Sequence, residues 1–146
     1  MNDQSPDVET CGVDELVPDV DEPLTVGQVA ALTGLSADTL RWYERVGLLK
    51  GVARDPSGRR QYSQTDLRRL ALLMRLRATG MPVSEMLRYA ELAKGGASTE
   101  PQRRLLLEAH RDRVLNHIAG LHRDLDVINR KIAGYRGSRR SPAVPA

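Results

Sequence analysis

The chain contains no phenylalanine, and aromatic residues fill only 3% of its 146 positions. Its core must therefore be built from Leu, Ala, Val, Ile and Met. Such a composition suits packed helices better than a sheet sandwich, which draws on β-branched and aromatic side chains. Cysteine occurs once, at Cys11 in an acidic segment, which excludes a disulfide framework within one chain. No basic neighbour is placed to lower the pKa of that thiol, so no special reactivity is expected of it. No apolar run approaches the ~18 residues of a membrane span, and the acidic N-terminus does not read as a signal peptide. The expectation is a cytoplasmic protein with no membrane partner. A Gly-rich phosphate loop and a P-loop lysine motif are both missing. His110, His117 and His122 share one helical segment, but no carboxylate or cysteine is placed to complete a metal site. Neither a catalytic constellation nor a cofactor is expected, so the chain does not read as an enzyme.

Charge is present, and it is unevenly spread. Residues 1–24 hold eight acidic side chains and no basic one, which leaves residues 25–146 at +11 against a whole-chain net charge of +3. Of the 22 basic residues, 19 are arginine, whose planar fork suits multidentate contact with phosphate. Residues 41–77 concentrate ten basic side chains against three acidic ones. A solvated charged surface would explain scattered arginines. Clustering of this kind points instead to nucleic acid or another anionic surface.

Residues 1–23, acidic and carrying Pro6, Pro18 and Pro23, show no periodicity and read as a disordered tail. Thr25 with Gln28 forms a capping-box pattern for a short helix that Gly34 ends. Ser36 then caps a second helix to about Val46, closed by Gly47. Two short helices joined by a Gly-containing turn make a helix-turn-helix candidate. "DPSG" (residues 55–58) is a strong turn signal between two short extended stretches, Leu49–Ala53 and Arg59–Tyr62, and so predicts a hairpin or wing. Ser63 with Asp66 opens a third helix to about Ala78, broken at Gly80 and Pro82. Ser84 is the expected cap of a fourth helix reaching about Lys94. Residues 95–99 read as a linker.

A long helix is predicted over residues 100–135, followed by a flexible basic tail at 136–146. Its apolar positions are Leu107, Val114, Ile118, Leu121, Leu125, Ile128, Ile132 and Tyr135, with Arg111 in the missing seam position. That is a heptad pattern over about four repeats. At 1.5 Å per residue the helix runs about 50 Å, too long to bury its stripe on so small a domain. With no second long amphipathic helix in the chain, a homodimer is the expected solution.

On the second short helix, "TLRWYERVGLL" (residues 39–49) sets Trp42 and Tyr43 between Arg41 and Arg45. With Leu35 and Leu40 turned inward, Arg41 and Arg45 face outward, and the two rings flank that exposed face. A ring there either positions a phosphate contact or packs against the next layer. Arg54, Arg59 and Arg60 bracket the wing turn, with Tyr62 at its base, where they would neutralise phosphates or simply be solvated. Arg68, Arg69, Arg75 and Arg77 read as the outward face of an amphipathic helix.

These motifs together resemble the DNA-binding domain of MerR-family transcription regulators: T-L-R-aromatic-Tyr-Glu, G-L-L, a wing with S-G-x-R-x-Y-S, then D-L-x-x-L and R-x-x-G-M-P-V-S-E-M. The resemblance covers about residues 24–94, and the long helix fits the family's antiparallel dimerisation helix. It implies a mainly α fold: a winged helix-turn-helix followed by an antiparallel coiled coil. Its implied DNA-contacting residues are Thr25, Ser36, Thr39, Arg41, Trp42, Tyr43, Arg45, Arg54, Arg59, Arg60 and Tyr62. Trp42 stands where the family usually has Tyr, and Arg59 where it often has Tyr. The implied function is a homodimer on an inverted-repeat operator in double-stranded promoter DNA. There it bends or untwists an over-long spacer so that RNA polymerase engages both promoter elements. The family's sensor cysteines have no counterpart in residues 24–146, and the sequence names no effector. The competing reading is an excisionase-like adaptor or architectural protein that binds DNA loosely and acts through its coiled coil.

Overall fold

Side-chain caps open the first three helices in the computed structural model of the protein, which describes residues 17–138. Thr25 accepts from the Gln28 amide while the Gln28 side chain accepts from the Thr25 amide, starting α1 (Val26–Thr33). Gly34 closes α1 with a left-handed backbone, and its N–H donates to Ala30 O at 2.9 Å. Ser36 accepts from the Thr39 amide and starts α2 (Ala37–Arg45). Ser63 and Asp66 form a second capping box at the head of α3 (Gln64–Ala78). Such caps satisfy amides that have no partner within the helix.

The fourth helix starts differently from expectation. α4 (Val83–Ala93) has Pro82 as its N-cap and no side-chain cap, and Ser84 lies exposed within its first turn. The proline ring presets φ and keeps Met81 out of the helical region, so the helix start needs no hydroxyl.

Between α2 and α3 lies a two-stranded antiparallel wing, β1 (Ala53–Arg54) and β2 (Arg60–Gln61), with Ala53 opposite Gln61 and Arg54 opposite Arg60. Asp55 Oδ1 accepts from the amides of Ser57 and Arg59, both at 2.9 Å, and Gly58 takes the positive φ of 83° that the turn demands. A third backbone segment joins the wing at its base. Leu24 and Tyr62 exchange two N–H···O bonds of 2.9 Å, pinning the entry of α1 to the exit of β2.

The core gathers Val29 from α1, Leu40 and Tyr43 from α2, Leu48 and Leu49 behind it, and Tyr62 at the wing's base. α3 adds Leu67, Leu70, Leu73 and Leu76, and Met81 and Met86 complete it. In a chain without phenylalanine, Tyr43 and Tyr62 supply the large rings of this core, at 1% and 0% exposure.

Residues 17–23 differ from the tail that composition suggests. Val17 and Val20 pack on the core, Val20 N donates to Gln64 Oε1 at 2.7 Å, and Gln64 Nε2 donates to Pro18 O at 3.2 Å. Residues 1–16, with Cys11, and the tail from residue 139 lie outside the described residues. The expected linker is also ordered: Gly96–Thr99 forms a 3-10 turn, and Arg103 donates to Gly96 O at 2.8 Å.

The chain divides into two compact units, the first ending at Leu107 and the second starting at Glu108. α5 (Glu100–Ser138) extends three residues beyond the predicted end and has 39 residues, about 58 Å of helix. Leu107 is half-buried against the core of the first unit. In the second unit Val114 is half-buried, while Ile118, Leu121, Leu125, Ile128 and Ile132 stand 44–55% exposed along the heptad stripe.

Candidate nucleic-acid interface

α2 and the wing carry Arg41, Arg45, Arg54, Arg59 and Arg60, partly offset by three carboxylates. Arg41 reaches Asp38 at 3.0 Å, with half of its side chain still exposed. Arg59, 78% exposed, lies 3.8 Å from Asp55. Arg45 is exposed at the end of α2. Arg54 donates to Gly58 O across the turn at 3.0 Å and sits 3.8 Å from Glu44. Arg60 Nε donates to the same Glu44 carboxylate in a contact that is only about one-fifth exposed. Five guanidiniums against three carboxylates leave a net positive surface, and each arginine keeps N–H groups beyond those its partner uses.

Glu44 closes the T-L-R-aromatic-Tyr-Glu motif, and the motif alone assigns it no role. It lies on α2, yet it grips both strands of the wing, Arg54 on β1 and Arg60 on β2. The pair of contacts sets the angle between the helix and the hairpin. Its place in the motif and in a basic run marks the position, but an acid there reads the same when it is merely solvated.

The aromatic pair divides. Tyr43, expected on the exposed face, is buried in the core, and so is Tyr62, expected to grip DNA from the wing's end. Both rings fill the core behind α2 and the wing base. Trp42 is half-buried, tilted 59° to the Tyr43 ring at 5.5 Å between centroids. The guanidinium of Arg77, from α3, lies 5.5 Å from the Trp42 ring centre. Arg77 thus lies on the exposed side of α3, as expected, and also stands over the indole. The hydroxyls of Thr25, Ser36 and Thr39 are engaged locally: Thr25 and Ser36 cap their helices, and Thr39 Oγ1 lies 2.9 Å from Ser36 Oγ.

Burial raises the phenol pKa of both Tyr43 and Tyr62 above the ordinary value of about 10. A folded pKa above the unfolded one gives a contribution that is full below pH ~10 and lost as pH rises through the raised values. Native stability should therefore fall on the alkaline side. The Tyr62 hydroxyl is buried with no hydrogen-bond partner among the described residues. Tyr62→Phe should consequently change stability by no more than about 1 kcal/mol near neutrality and make the alkaline loss shallower. Melting temperatures at neutral and alkaline pH check this, and an unaltered alkaline slope would show that the phenol does not titrate with unfolding.

Among the described residues no group of three His, Cys, Asp or Glu side chains could hold a metal ion, and no helix is long and apolar enough to cross a membrane. The family model described as MerR HTH family regulatory protein matches residues 24–91, and that for MerR, DNA binding, matches residues 67–133. An uncharacterized HTH-type transcriptional regulator of Haemophilus influenzae is 38% identical over 122 residues, covering 84% of this chain and 90% of that one. The HTH-type transcriptional regulator AdhR of Bacillus subtilis is 35% identical over 92 residues, 63% of this chain and 66% of its own. Among solved structures, the crystal structure of HiNmlR, a MerR family regulator lacking the sensor domain, bound to promoter DNA, aligns with a TM-score of 0.74. It is 37% identical, over 82% of this chain and 94% of that one. A MerR family regulator from Bacillus thuringiensis aligns with a TM-score of 0.70 at 30% identity, over 77% of this chain and 99% of that one. With a helix-turn-helix and wing carrying these arginines, and with relatives matched along most of its length, the chain belongs to the MerR family of helix-turn-helix transcription regulators.

Proposed function

We propose that the protein binds an inverted-repeat operator in double-stranded promoter DNA as a homodimer and distorts the DNA between the half-sites to control initiation by RNA polymerase. The observation that carries this is the arginine surface of α2 and the wing, locked together through Glu44. In HiNmlR the related fold is bound to promoter DNA. Arg41 and Arg45 enter from α2, while Arg54, Arg59 and Arg60 follow the phosphate backbone from the wing. Exposed Thr25 and Ser36, with half-buried Thr39, place helix N-termini, whose amides attract phosphate, beside this surface. Trp42, braced by Arg77, serves as a rigid edge rather than a hydroxyl donor. Tyr43 and Tyr62 support the helix and the wing from the core side.

A dimer supplies two such surfaces, and α5 supplies the stripe that joins them. Phosphate interactions that the wing makes only on bent DNA can compensate the several kcal/mol that bending costs. Footprinting on the DNA around its own gene, with salt varied, tests the whole reading. The expected result is a protected inverted repeat in a long promoter spacer with hypersensitive bases at its centre. Diffuse, salt-labile binding everywhere would favour the adaptor alternative. Arg41→Ala should weaken operator binding by about 1–3 kcal/mol in a mobility-shift titration. Unchanged binding would remove α2 from the interface.

A further inference from the structure

A cleft of about 320 Å³ opens between the segment following α2 and the facing sides of α3 and α4. That volume lies at the lower end of the ~300–1,000 Å³ typical of small-molecule sites. Leu48, Leu72, Leu73 and Ala90 give it an apolar lining, and three cationic side chains, Lys50, Lys94 and Arg69, stand with them. The chain has three lysines in all, and two of them are here. Both ammoniums converge on one carboxylate oxygen, Glu91 Oε2, Lys50 at 3.7 Å and Lys94 at 2.7 Å. One carboxylate cannot neutralise two ammoniums, so the cleft keeps a net positive charge. Gly47 helps to shape it. A Cβ at Gly47 would stand 3.0 Å from Lys50 Cε, so the missing side chain leaves room for the lysine stem to fold back over the backbone.

Surplus cations beside an apolar lining are complementary to a ligand with both characters. An inorganic anion would leave the apolar surface wet, and a neutral hydrocarbon would leave the ammonium pair uncompensated. A cation would meet like charge. We propose that this cleft binds a small amphipathic organic anion, its acid group held by Lys50 and Lys94 and its apolar body lying on Leu48, Leu72, Leu73 and Ala90. The site uses none of the arginines of the α2 and wing surface. The segment lining it, Gly47 to Lys50, connects α2 to the wing. Any effect of the bound anion on operator binding rests on the function proposed above, whereas binding itself does not.

The test is a titration of the isotopically labelled full chain with octanoate, followed by amide resonances, with octylamine as the cationic counterpart. Octanoate should saturably shift the amides of Gly47, Leu48, Lys50, Ala90 and Lys94, and octylamine should not. Lys50→Gln combined with Lys94→Gln should raise the octanoate Kd by about tenfold or more, as expected for loss of charge-assisted contacts. Both lysines are about half exposed, so the double variant should keep the wild-type spectrum elsewhere. Ala90→Leu, which narrows the cleft and leaves the charges in place, should weaken octanoate as well. No saturable shift with millimolar octanoate, equal shifts with octylamine, or an unchanged Kd in the double lysine variant would overturn the proposal.

Discussion

Replacing Leu121 and Leu125 together by aspartate is expected to turn the proposed homodimer into a monomer and to drop operator affinity by about three orders of magnitude, toward the non-specific level. The arithmetic of the α5 stripe explains why two positions suffice. Ile118, Leu121, Leu125, Ile128 and Ile132 each stand 44–55% exposed in a single chain. Covering that remaining half of an aliphatic side chain contributes roughly 1 kcal/mol, so ten such residues across two chains supply on the order of 10 kcal/mol. Association itself costs about 4–15 kcal/mol. The margin is narrow. Two aspartates per chain remove apolar contact and would also bury unpaired carboxylates, which is more costly still. Light scattering after size exclusion reads the mass, and mobility shift reads operator affinity. A variant that remains dimeric would mean that the stripe does not form the interface.

The second large effect falls on stability. Leu40 is fully buried on α2, next in sequence to Arg41, which is half exposed. Leu40→Ala leaves a cavity beneath the helix and should cost about 2–5 kcal/mol, a large share of the ~5–15 kcal/mol that holds a typical domain together. Urea denaturation measures it. The neighbouring Arg41→Ala should move stability by no more than about 0.5 kcal/mol while weakening DNA binding. One residue separates a packing position from a proposed binding position, and the two substitutions should fail different assays. A Leu40→Ala protein as stable as the parent would show that α2 collapses onto the cavity without penalty.

What was legible in the sequence shares a physical character. The capping pairs Thr25/Gln28 and Ser63/Asp66, the Asp55–Gly58 turn and the long α5 all depend on residues within a few positions of one another. Backbone amides at a helix start must find an acceptor nearby, and a hydroxyl or carboxylate at the right spacing supplies one. The heptad stripe is equally local, because helical geometry alone brings its members to one face. Family motifs extended that reading to the winged helix-turn-helix. Even so, a local signal misled at Ser84, where Pro82 had already set the helix start.

The tertiary structure decided the rest. Which way Tyr43 points cannot be read from a helix with arginines on two sides. It turns inward to pack in the core with Leu40 and the α3 leucines, and Tyr62 packs in the same core from the wing base. Leu24 meets Tyr62, and Gln64 holds Pro18 and Val20, across separations of about forty residues that no periodicity records. Glu44 became the brace of the wing only once β1 and β2 were folded against α2. The sequence by itself determined where every helix but α4 begins and that α5 carries a long apolar stripe, because hydrogen-bond satisfaction and helical periodicity act over a few residues. Which aromatic rings are core, and how the arginine surface is held, depended on packing between distant segments, where the volume to be filled exists only after the chain has come together.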